Sequence, residues 1–289
     1  MGLRLKFNLA MLFALAIGYG LTGYAVHSML QENARAAVLD MARIMRESAL
    51  AIRSYTVEEV GPLMQTLSVE RFLPHTVPSF AAQTNFRQVR EAFPDYAYKE
   101  AALNPTNPSD RATDWEADII HAFRNDDALR ELILERDTPT GQSLVLAHPI
   151  RITNEACLQC HSTPAAAPAS MIALYGEANG FGWKLDEIIG AQIVSVPMRV
   201  ALERANQTFS TVMISLGAVF LTVFVILNLL LSFSVVRPIR RLSTLANEVS
   251  LGNLDAPELE PAGGGEIATL TAAFNRMRRS LENAMRMFS

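Results

Sequence analysis

The stretch TFSTVMISLGAVFLTVFVILNLLLSFSVV, residues 208–236, runs for 29 residues without a formal charge. A helix crossing the hydrocarbon core of a bilayer needs about 20 apolar residues. The stretch therefore predicts a transmembrane helix within residues 206–236, long enough to tilt or to extend past the lipid. Arg204 stands before it, and Arg237, Arg240 and Arg241 stand after it. A second uncharged run, the 20 residues from Phe7 to Val26, follows Arg4 and Lys6 and precedes Glu32 and Arg35. It has the basic start of a secretory signal, but its apolar part is longer than an ordinary h-region and no A-x-A-like site closes it. A retained anchor within residues 1–30 is therefore expected, with membrane lipid as a partner. Basic residues precede the first span and follow the second, so both termini are expected in the cytoplasm and residues 31–205 outside. The net charge of −4 and the pI near 5.8 give no reason to expect nucleic acid as a partner.

Beyond the second span, residues 237–289 predict two amphipathic helices joined by a polar connector. Ile239, Leu242, Ala246 and Val249 repeat at coiled-coil spacing in the first. Ile267, Leu270, Phe274, Met277, Leu281, Ala284 and Phe288 do so in the second. Such seams cannot bury themselves within one short helix and demand partners. Pro238 opens the first helix, where proline is tolerated. Gly252-Asn253-Leu254-Asp255 is expected to end it, and Gly263 to Gly265 precede Glu266. No G-K-[ST] follows those glycines, so they are not a phosphate loop.

Upstream of the second span the chain reads as a mixed α+β domain with no internal repeat. Gln31 to Tyr55 predicts a helix continuing from the first span, interrupted at Gly61-Pro62. Arg71 to Tyr98, broken by Pro74, Pro78 and Pro94, predicts short helices and turns. Asn104 to Ser109 is a surface loop by composition. A helix from Thr113 to Arg136 is expected to bury Trp115, Ile119, Phe123, Leu129 and Leu132. Ser143 to Ile152 and Ile188 to Val196 read as strands.

Between those strands lies Cys157-Leu158-Gln159-Cys160-His161, a C-x-x-C-H motif containing the only two cysteines of the chain. Two thiols at this spacing can form thioethers to the two vinyl groups of haem, and the next residue, His161, can ligate the iron. A thioredoxin-like pair would open a helix in an α/β unit, whereas here an Ala- and Pro-rich loop follows. A zinc site would need a second ligand pair, which is missing from the sequence. A disulfide across two residues would close a small strained loop. Covalent haem c held by Cys157, Cys160 and His161 is therefore expected, which suits an extracytoplasmic domain. The sixth iron position stays open among His75, His148, Met64 and an exchangeable site. His27 at the membrane edge, His121 on a polar helix, and Met171 and Met198 as packing residues have weaker claims. Phe181 and Trp183 either pack against the macrocycle or belong to the core.

Two resemblances follow from these residues. Arg237-Pro238-Ile239, Gly252-Asn253-Leu254 and Glu266-Ile267-x-x-Leu270-x-x-Ala273-Phe274-Asn275-x-Met277 resemble the signature of HAMP domains. That implies a parallel four-helix bundle formed by a homodimer. Tyr55-Thr56-x-Glu58-Glu59-Val60, Thr76-Val77-Pro78, Ala82 to Phe86, Leu103 to Pro108, Glu135-Arg136-Asp137, the C-x-x-C-H and Tyr175-Gly176 through Trp183 resemble the PAS-like, c-type haem-binding domain of bacterial membrane sensors. This implies a periplasmic sensor domain in the inner membrane of a bacterium. Such domains often precede kinase or cyclase modules. None follows here, so a cytoplasmic signalling protein acting in trans is expected. The leading expectation is a haem-based redox or gas sensor; the alternative is a membrane-anchored cytochrome with an electron-transfer partner. No Ser/His/Asp or paired-carboxylate arrangement stands out, Glu58-Glu59 and Asp126-Asp127 read as solvated faces, and enzymatic activity is not expected.

Overall fold

The protein is described by a computed structural model covering residues 2–64, 71–139, 141–253, 257–260 and 265–288. It divides into two units, one spanning His27–Gln207 and the other made of the flanking residues up to Val26 and from Thr208.

The larger unit is built on four strands: β1 (Ala97–Ala102), β2 (Leu132–Thr138), β3 (Gly141–Arg151) and β4 (Ile188–Pro197). All neighbours are antiparallel, in the order β1-β4-β3-β2. Side chains alternate between the two faces of a strand, so each face has its own cover. Helix α1 (Leu3–Tyr55) buries Val38, Ala42, Met45 and Ala49 on Tyr98, Leu144, Leu146, Val194 and Val196, joined by Ala82 and Phe86 of helix α2 (Pro78–Ala92). The other face presents Ala101, Val145, Ala147, Ala191 and Ile193 to Ile119, Ile120 and Phe123 of helix α3 (Asp114–Asn125). Ile120 and Phe123 are fully buried, and each such burial contributes roughly 1.5–3 kcal/mol.

The predicted helix from Thr113 to Arg136 stops eleven residues early. Asp126 accepts from the Ala128 amide at 2.9 Å, a local turn that competes with helix. The chain then becomes β2, where Leu132 and Leu134 alternate with exposed Ile133 and Glu135. Leu129 and Leu132 do pack on the Phe123 cluster, but from the turn and the strand. Strand β1 starts at Ala97, in the last two residues of the Arg71–Tyr98 stretch expected to hold short helices and turns, and runs beyond it to Ala102, where no strand was expected. Its Lys99-Glu100 hid the alternation. Glu100 is buried because Tyr98 donates to it at 2.8 Å and Arg53 of α1 pairs with it.

Gly61-Pro62 does not interrupt the helix. Helical structure continues to Met64 because residues Thr56–Val60 widen into a π turn, with the Gly61 amide donating to Thr56 O. Proline removes a donor and its ring collides with the carbonyl four residues back; moving to i−5 bonding relieves both. The same device recurs at Ser232–Val236, where the Arg237 amide donates to Ser232 O just before Pro238.

In the other unit, the apolar segments of α1 and helix α4 (Arg199–Leu231) touch: Tyr19 Oη donates to Met213 O at 3.2 Å and its ring lies 6.2 Å from that of Phe220. Both helices are long and apolar enough to cross a membrane. Helices α5 (Arg237–Ser250) and α6 (Glu266–Phe288) follow. Helix α5 ends in a Schellman turn: Asn253 N donates to Glu248 O and Gly252 N to Val249 O, with Gly252 at φ +94. Leu245, Val249 and Phe274 form a small core, with Leu242 and Ala246 packed beside it. Leu254-Asp255, Gly263-Gly264 and the Phe288 side chain lie outside the described residues.

Candidate haem-binding site

Strands β1 and β3 both end, and β4 begins, at one edge of the sheet, and the C-x-x-C-H segment is attached there. Ile152 N donates to Glu187 O at 3.0 Å and Asp186 N to Ile152 O at 2.8 Å, closing the excursion between β3 and β4 at its base. The Asn154 side chain accepts from the Ala156 amide at 2.9 Å and starts a short 3-10 turn, Glu155–Cys157. A helical turn, Leu158–His161, follows directly, so both thiols and the imidazole belong to one continuous helical segment. Cys157 and Cys160 are free and half-buried. Burial pushes the Cys160 thiol up, with Cys157 beside it adding to the shift.

His161 is clamped from one side. Its Nδ1 lies 2.7 Å from Gly180 O and 3.4 Å from Thr106 Oγ1. Its ring stacks on Trp183 at 3.8 Å between centroids and 12° between planes. Gly182 N donates to Ser162 O at 3.0 Å and Trp183 N to His161 O at 3.2 Å, so backbone also joins the two segments. Donation from Nδ1 to a carbonyl fixes the tautomer and leaves the Nε2 lone pair for a metal. Burial holds the imidazole below the usual histidine range, against the opposing effect of the Gly180 carbonyl. A neutral imidazole is the form that ligates iron. Two adjacent thiols and one oriented neutral imidazole are a donor set that fits haem.

Gly180 is buried with φ +84, and a Cβ there would come within 2.8 Å of Thr106 Cα. Thr106 belongs to the Asn104–Ser109 segment expected to be surface loop, yet Pro105 is buried and Thr106 half-buried. Composition marked the segment as a turn, which is correct locally. It could not register that the turn packs against the loop carrying Gly180. Trp183, weighed as a macrocycle contact or a core residue, stacks on the imidazole of His161.

The other candidate ligands are dispersed. His148 lies on the face under α1, 3.2 Å from Glu131, with Arg46 nearby. His75 is exposed and meets the Phe80 ring edge-on at 5.4 Å. Met64 is exposed, whereas Met171 and Met198 are buried. His121 and His27 are exposed. Phe72 contacts Tyr175 edge-on at 5.8 Å, which brings the segment before His75 against the helix Ala169–Tyr175.

An antiparallel sheet domain with a C-x-x-C-H excursion, followed by a helix pair of HAMP type, defines a sensor-like membrane architecture. Residues 230–283 match the HAMP domain. Residues 31–197 match the Tll0287-like family, and the chain belongs to that family. Among solved structures it is similar to one described as the cyanobacterial heme-protein Tll0287, with 16% identity and a TM-score of 0.43, over 55% of this chain and 94% of that one. No curated protein matches the chain.

Proposed function

We propose that this chain is a two-pass bacterial inner-membrane sensor with a covalent haem c in the periplasm, which passes a redox or diatomic-gas signal through HAMP to a cytoplasmic protein. The observation that carries this is the 2.7 Å contact of His161 Nδ1 with Gly180 O beside two free thiols, in a chain that also contains HAMP. Cys157 and Cys160 would hold the group through thioethers and His161 Nε2 would ligate the iron. When bound, haem supplies a change of charge or of ligand number at its iron. The residues of the chain give that change a path. His161 holds Gly180 and Trp183, which lie in the segment leading into β4. Strand β4 ends at Pro197 and α4 starts at Arg199, so a shift at the loop bears on the second span. In α6, Leu270, Met277 and Leu281 of the expected seam are exposed in the single chain, which fits a bundle completed by a second copy.

The full-length chain, made alongside a cytochrome-maturation system, should give a peroxidase-active band that survives denaturing electrophoresis; Cys157→Ser with Cys160→Ser should abolish it. A bis-maleimide should then cross-link Leu270→Cys dimers at different rates in the ferric and ferrous proteins. A haem-loaded chain whose cross-linking ignores redox state and CO would be a membrane-anchored electron carrier, and the sensor proposal would fall.

A further inference from the structure

The face of the sheet that carries α3 also borders a cavity of about 450 Å³, within the range of about 300–1,000 Å³ typical of small-molecule sites. It lies away from His161. Its sheet residues come from the start of β1, the end of β2 and the end of β4, whereas the C-x-x-C-H excursion leaves from the opposite edge. Val145 and Ile193 form an apolar floor and Trp115 a wall. Three arginines line it, Arg87 and Arg90 on α2 and Arg136 on β2. Arg87 and Arg90 are three residues apart and share one helix face. None of the three has a carboxylate within 4.0 Å among the described residues, although the unit is otherwise rich in ion pairs. Arg136 is held with its guanidinium 4.3 Å over the Trp115 ring. The remaining charges at the cavity are already engaged. Lys99 pairs with Glu116 at 2.7 Å, and Asp110 accepts from Gln83 at 3.0 Å.

We infer that this cavity is a binding site for a small organic carboxylate, a chemical input separate from the C-x-x-C-H site. Guanidinium forks match a carboxylate in two-point hydrogen bonding, and their mutual repulsion is relieved when an anion sits among them. The apolar floor and the Trp115 wall favour an anion with a hydrocarbon body over a fully hydrated inorganic one.

The test uses the full-length chain in detergent, titrated with benzoate and succinate, with neutral benzamide and inorganic phosphate as comparators. Tryptophan fluorescence and calorimetry read binding, and Trp115→Phe identifies the signal, since the other tryptophan, Trp183, stacks on His161. Saturable binding of benzoate or succinate is expected, with benzamide weaker by about tenfold or more. Arg136→Gln should lower carboxylate affinity by a similar factor without changing the far-ultraviolet circular dichroism of the chain. Arg90→Gln, on the exposed helix, repeats the test without touching the sheet. Equal binding of benzoate and benzamide, binding of phosphate alone, no saturable binding, or unchanged affinity in the folded variants would each overturn the proposal. None of these outcomes depends on whether haem is attached, so failure here is distinct from failure of the haem sensor.

Discussion

Gly180→Ala tests the clamp on His161 most directly. An alanine at φ +84 costs roughly 1–2 kcal/mol from backbone conformation alone. Its Cβ would also lie 2.8 Å from Thr106 Cα, a backbone atom that cannot rotate away, and relieving such overpacking costs about 1–3 kcal/mol more. Gly182→Ala is the matched control, because Gly182 has φ +83 and open space where its Cβ would go. The difference between the two variants therefore isolates the contact with Thr106. A domain of this size loses about 2–4 °C in Tm per kcal/mol, so Gly180→Ala should melt several degrees below Gly182→Ala in circular-dichroism scans of the full chain. The two should also differ in haem reduction potential, because only Gly180 supplies the carbonyl to Nδ1. If Gly180→Ala melts with Gly182→Ala and keeps the parent potential, the Thr106–Gly180–His161 clamp is not a constraint and the assignment of the axial nitrogen loses its basis.

Three further outcomes follow from the same structure. Arg53→Met leaves the buried Glu100 carboxylate without its cation and should cost about 3 kcal/mol, read by urea titration; adding Glu100→Gln should recover most of the loss, as expected for a buried pair broken on one side. Burial, aided by Arg46 and opposed by Glu131, holds the His148 imidazole below its ordinary value of 6.5. The unfolded chain thus takes up a proton more readily at this site. The domain should lose stability as pH falls from just above 6.5 towards the depressed value, and His148→Gln should flatten that slope in pH-dependent thermal melts. Gly252→Ala, at φ +94 in the Schellman turn, should cost about 1 kcal/mol and shift the HAMP cross-linking pattern of Leu270→Cys dimers without altering the haem spectrum.

The sequence by itself determined what depends on local pattern. Two uncharged runs identified the membrane-length helices, because hydrocarbon solvent imposes a length that is visible without tertiary context. The C-x-x-C-H spacing singled out the thiols and the imidazole, because groups that are to meet one rigid macrocycle must lie close together in the chain, and the structure places all three in one continuous helical segment. Strands β3 and β4 were legible through their richness in Val, Ile and Leu, because their central residues are buried on both faces. Tertiary structure decided the rest. Strand β1 carries Lys99 and Glu100, and its alternation emerges only when Arg53 of α1 and Glu116 of α3 neutralise them. Leu132 is equally spaced for helix or strand, and pairing with Ala147 on β3 settled it. Thr106 is 55 residues from His161 in the chain and Gly180 is 19, with Trp183 three residues beyond Gly180. Hydrogen bonds and ring contacts across such separations leave no periodic trace in a sequence, because they depend on how two loops fold over the same edge of a sheet.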